Sequence, residues 1–128
     1  MRVLLIEPDT MLARTYVTAL ESPGHHVVRV VSAQAAVQAA DGSAPDVVVV
    51  SLGIARHSGA EFLYEFKSYP EWQNVPILLL TPRLEYDLGD PAILRDQLGV
   101  RAVLVRSQIS LAQLCDAVSG VASEHASS

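Results

Sequence analysis

Short apolar runs alternate along this chain with segments whose apolar residues recur every three or four positions. The runs cover 3–6, 26–31, 46–50, 76–80 and 101–105. They are rich in valine, leucine and isoleucine and do not alternate with polar residues. Continuous runs of that length predict strands covered on both faces, as in a parallel sheet. The segments between them predict helices. The first spans Thr10 to Glu21, with Leu12, Tyr16, Ala19 and Leu20 on one face and Ser22-Pro23-Gly24 as its stop. The second spans Ala33 to Ala40 behind Ser32 as N-cap and ends at Asp41-Gly42. The third spans Gly59 to about Tyr69, with Phe62, Leu63 and Phe66 inward and Pro70 as its end.

A fourth helix is predicted over 91–98, because Asp90-Pro91 reads as N-cap and first helical residue. The fifth has the strongest pattern. Leu111, Leu114, Cys115, Val118 and Val121 recur at threes and fours behind Ser110 as N-cap. After Val121 the residues are small and polar, so 122–128 is expected to be a flexible tail behind a domain of 1–121. Strands that each precede a helix predict an α/β domain with a doubly wound, five-stranded parallel sheet, the (βα)5 arrangement. Its economical topology is the flavodoxin-like order 2-1-3-4-5. The carboxyl ends of the strands then bring Glu7, Ser51, Thr81 and Arg106 to one edge, where ligands bind in such sheets.

Composition narrows the function classes. The chain has 128 residues, 50% of them hydrophobic and 18% charged, with a net charge of −5. Its single lysine, Lys67, and its scattered arginines form no basic patch, which argues against direct nucleic-acid binding. Cys115 is alone, so no disulfide framework exists, and its place on the inward stripe suits a small buried hydrophobe. No apolar run is long enough to span a bilayer, and the apolar start is too short for a signal peptide. A cytoplasmic protein without a membrane partner is the expectation.

Ser51 carries the most information about chemistry. An acidic turn, Glu7-Pro8-Asp9, follows the first run. Ser51 closes the third run, Gly59 follows eight residues later, and Thr81 closes the fourth. In order and spacing these residues resemble a response-regulator receiver domain of two-component signalling, over essentially the whole chain. The resemblance implies an acidic pair that binds Mg²⁺ after the first strand, an aspartate that accepts phosphate at position 51, a hydroxyl residue after strand four and a lysine after strand five. Here the second acidic position is Pro8, the acceptor is Ser51, the hydroxyl is kept as Thr81, and the lysine position holds Arg106. The proline expected after it is Ser107, and the aromatic switch residue is Val103. The stretch from Thr81 to Gly99 is about three residues longer than the family's by this alignment.

Aspartyl phosphorylation needs a carboxylate nucleophile and a divalent metal. Glu7, Pro8, Ser51, Thr81 and Arg106 therefore read as a degenerate phosphorylation site with no metal, no cofactor and no catalytic residue. Arg106 is expected to reach Glu7 through a bidentate contact, filling the space of metal and phosphate. The motif offers no evident base beside Ser51, and Val50-Ser51-Leu52-Gly53 is not a nucleophile elbow. The turn after strand one lacks glycine, which disfavours a dinucleotide site.

The expected function is that of an atypical receiver, a pseudoreceiver, which signals by protein contact without phosphorylation. The family's habit implies a signalling partner or a homodimer at the face of helix four, strand five and helix five, here including Arg95, Val103 and Leu111. Two alternatives stand beside it. The chain is the N-terminal regulatory part of a larger transcription regulator, or it senses a small molecule at the strand-end crevice. His25, His26 and His57, the aromatic turn at Tyr69 and Trp72, and the acidic loop with Glu85, Tyr86, Asp87 and Asp90 read as solvated or core-edge residues.

Overall fold

A computed structural model describes residues 1–22, 24–51, 59–81, 95, 96 and 99–127. The loop 52–58, with His57, and the stretch 82–94 lie outside the described residues. Of the helix expected over 91–98, Arg95 and Asp96 are described, and both are helical.

Five parallel strands, β1 (Arg2–Ile6), β2 (His26–Val30), β3 (Val47–Ser51), β4 (Ile77–Thr81) and β5 (Val100–Val105), form one sheet. Their order in it is β2-β1-β3-β4-β5. The central three are covered on both faces, as their unbroken apolar runs require. Alternate residues feed two separate cores. Leu4, Ile6, Val48, Val50, Ile77 and Leu79 pack with Ala36 and Ala40 of α2 (Ala33–Gly42) and with Leu63 and Phe66 of α3 (Gly59–Lys67). Val3, Leu5, Val47, Val49, Leu78 and Leu80 pack with Tyr16 and Leu20 of α1 (Thr10–Glu21) and with Leu114 and Val118 of the C-terminal helix (Leu111–Ser127). The edge strands differ. β2 and β5 keep partly exposed residues, because each has a neighbour on one side only.

Local signals set the helix boundaries. The Asp9 carboxylate caps α1 by accepting from the Leu12 amide at 2.9 Å, and Ser32 caps α2 by accepting from the Ala35 amide at 3.1 Å. Ser110 and Gln113 form a reciprocal capping box at the C-terminal helix. That helix runs on from Ala122 to Ser127, past the point where the sequence predicts fraying. Alanine and glutamate in this stretch favour helix, and no proline or Gly-Pro stop interrupts it. α3 ends at Lys67, and a 3₁₀ turn, Pro70–Trp72, leads into β4. Trp72 stacks on Phe66 with ring centroids 5.0 Å apart and closes the core edge.

Candidate functional site

The carboxyl ends of β1, β3 and β5 place three polar side chains against one another. Glu7 directly follows β1 and is fully buried. Its Oε1 accepts the Ser51 hydroxyl at 2.8 Å. Arg106, immediately after β5, donates from Nη2 to the Ser51 Oγ and lies 3.5 Å from the same Glu7 oxygen. The other Glu7 oxygen faces the Asp9 amide at 3.4 Å. A buried carboxylate costs several kcal/mol unless it is paired and hydrogen-bonded. Here an arginine cation, a hydroxyl and an amide share that task.

Two details differ from the sequence reading. The arginine contact with Glu7 runs through one nitrogen, Nη2, because that nitrogen also serves Ser51. A bidentate fork would need both guanidinium edges on the same carboxylate. Ser51 also has a carboxylate beside it, which the motif alone did not reveal, because Glu7 and Ser51 are 44 positions apart.

The remaining predicted positions are arranged as follows. Pro8 is exposed and offers only its carbonyl, which accepts from Arg29 Nη2 at 3.2 Å. Thr81 is buried, and its hydroxyl faces the Leu104 carbonyl of β5 at 3.5 Å. Arg95 is exposed beside Asp96. Val103 and Leu111 are 44% and 42% exposed, high for apolar side chains. Arg29 was not singled out in the sequence. From β2 its Nε donates to the Glu7 carbonyl at 2.9 Å, so it clamps the turn that carries Glu7. A lone arginine in an edge strand carries no sequence signal for that role.

The donor set does not fit a divalent metal bound as the fold's acidic pair would bind it. Mg²⁺ takes hard oxygen ligands, with one or two protein carboxylates among them. Glu7 faces a guanidinium at 3.5 Å, Pro8 has no side-chain donor, and Asp9 Oδ1 is committed to the cap of α1. Among the described residues no group of three His, Cys, Asp or Glu side chains is placed to hold a metal.

Beside this cluster α1 contributes Tyr16. Burial pushes its phenol pKa up. Arg106 pulls it the other way, and Glu7 and Asp9 add to the rise. Cys115, partly buried, donates from Sγ to the Ala19 carbonyl at 3.1 Å and ties the C-terminal helix to α1.

Residues 3–119 match the family described as the response regulator receiver domain. The chain belongs to that family. The receiver is 27% identical over 116 residues to the KDP operon transcriptional regulatory protein KdpE of Escherichia coli K12, a match covering 85% of this chain and 50% of that protein. It is 29% identical over 83 residues to the transcriptional regulatory protein BasR of the same organism, covering 65% and 36%. The receiver thus spans about half the length, or less, of these relatives. Among solved structures it is similar in fold to a sensor protein from Polaromonas sp. JS666, at TM-score 0.81 and 19% identity over 97% of both chains. It also resembles the signal receiver domain of a putative Luxo repressor protein from Vibrio parahaemolyticus, at TM-score 0.80 and 22% identity over 97% of this chain and 91% of that one. No helix among the described residues is long and apolar enough to cross a membrane.

Proposed function

We propose that this receiver is a pseudoreceiver, which signals through protein contact without aspartyl phosphorylation. The observation that carries the reading is the single Arg106 nitrogen set on both Ser51 Oγ and Glu7 Oε1. It puts a cation where a metal and an incoming phosphoryl group would have to go. Position 51 supplies a hydroxyl in place of a carboxylate nucleophile, and Val103 supplies no ring for an aromatic switch. Partner recognition falls to the surface that includes Arg95, Val103 and Leu111, where a signalling protein or a second copy docks. Nucleic acid and membrane are not direct partners in this reading, and the setting is cytoplasmic.

Beryllofluoride with Mg²⁺, a phosphoryl mimic, tests it. The amide NMR spectrum of the receiver is expected to stay unchanged. Broad shifts around Ser51 and Thr81 would refute the proposal.

A second reading has its own support. Both transcriptional relatives are much longer than the matched region. The receiver would then be the regulatory half of a transcription regulator, with its output in a separate DNA-binding part. The length of the open reading frame decides between a free-standing and a tethered receiver.

A further inference from the structure

The Tyr16 phenol stands apart from the Glu7–Ser51–Arg106 network. It is 7% exposed, packed with Leu20, Leu114 and Val118 between α1 and the C-terminal helix. Tyr16 lines a cleft of about 180 Å³, together with Arg106, Ile109, Ser110, Leu111 and Leu114.

The lining has two chemical halves. Arg106, Tyr16 and Ser110 provide a cation and two hydroxyls. Ile109, Leu111 and Leu114 provide an apolar wall. Ser110 also begins a 17-residue helix, and its capping box engages the amides of Ser110 and Gln113. The positive end of that helix therefore adds to the field of Arg106. The volume is that of one ring-sized body, since a cavity of about 150 Å³ accepts benzene.

We infer that this cleft binds a small monocarboxylate with a compact apolar body. The carboxylate takes Arg106 and the Tyr16 hydroxyl, and the body lies against Ile109, Leu111 and Leu114. Arg106 already holds Glu7 and Ser51, so a second carboxylate competes for the same guanidinium. Occupancy of the cleft is thereby coupled to the arrangement around Ser51, which gives a receiver without a phosphoryl switch a chemical input. The inference goes beyond the pseudoreceiver reading and can fail separately: a beryllofluoride response leaves it standing, and an empty cleft leaves that reading standing.

Titration of the full chain with benzoate, followed by amide NMR, tests it. Benzamide serves as the uncharged control of the same shape. Saturable shifts are expected at Tyr16, Ser110 and Leu114, with a Kd of about 1 mM or tighter. Benzamide is expected to bind at least about tenfold more weakly. Tyr16→Phe, which keeps the ring and the packing, is expected to weaken benzoate about fivefold through one lost hydrogen bond. Shifts that fail to saturate or scatter over the surface, equal binding of benzamide, or unchanged binding in Tyr16→Phe would each overturn the proposal.

Discussion

Two half-buried cations lie at opposite ends of the sheet and are held by different means. Arg106, at the carboxyl end, faces a full negative charge on Glu7 and the hydroxyl of Ser51. Lys67, at the amino ends of β4 and β5, faces neutral oxygens. Its Nζ donates to the carbonyls of Trp72 at 3.2 Å, Gln73 at 3.1 Å and Val75. The difference separates a site from a clamp. A carboxylate partner can be exchanged for another anion, so the Arg106 end is adaptable. Backbone carbonyls can be released only by moving the turn that carries them, so Lys67 fixes the passage from α3 into β4.

The clamp should show the larger loss of stability. Lys67→Met keeps the aliphatic stem and strands three carbonyls, and it is expected to lower the unfolding free energy by about 2–4 kcal/mol in urea denaturation. A loss near zero would erase the contrast with Arg106. Gly99 sharpens the same end. Its φ of +68° is left-handed, and a Cβ there would lie 2.8 Å from Lys67 Nζ. Gly99→Ala is expected to cost about 1–3 kcal/mol. The penalty should shrink in the Lys67→Met background if that contact contributes.

At the other end, Ser51→Ala removes one donor to Glu7 and leaves Arg106 in place. The expected cost is about 1 kcal/mol. A larger loss would mean that Ser51, and not the ion pair, holds the cluster together.

A pH dependence is also expected, confined to the clamp. Burial, helped by nearby Arg101, brings Lys67 from 10.5 down to about 8. Between those values the unfolded chain keeps a proton that the folded chain has lost. Stability from this group is therefore flat below about pH 8 and rises with pH up to about 10.5. Urea midpoints measured across that window, in wild type against Lys67→Met, isolate the contribution. Parallel curves would remove the titration from Lys67.

The two ends were not equally legible. The strands were readable because Leu4-Leu5-Ile6, Val47-Val48-Val49-Val50 and Leu78-Leu79-Leu80 are buried on both faces and so carry no polar interruptions. Strand ends then bring Glu7, Ser51 and Arg106 to one edge. The detail of one nitrogen serving both Ser51 and Glu7 depends on side-chain rotamers, which spacing does not encode. The clamp was not legible at all. Lys67 meets carbonyls, and every residue type has one, so no motif marks its partners. Arg29 escaped notice for the same reason, since it holds the Glu7 and Pro8 carbonyls. The extent of the C-terminal helix past Val121 was not legible, because Ala122 to Ser127 has no apolar stripe, although nothing there breaks a helix.

The adaptable end rests on the Glu7–Arg106 interaction, and a double-mutant cycle with Glu7→Gln and Arg106→Gln measures it directly. Stabilities of the two single variants, the double variant and wild type give the coupling free of each residue's other contacts. With Glu7 fully buried and Arg106 at 3.5 Å, a favourable coupling of about 1–3 kcal/mol is expected. A coupling indistinguishable from zero would contradict the claim that Arg106 is bound to the strand-end carboxylate and closes the phosphorylation site.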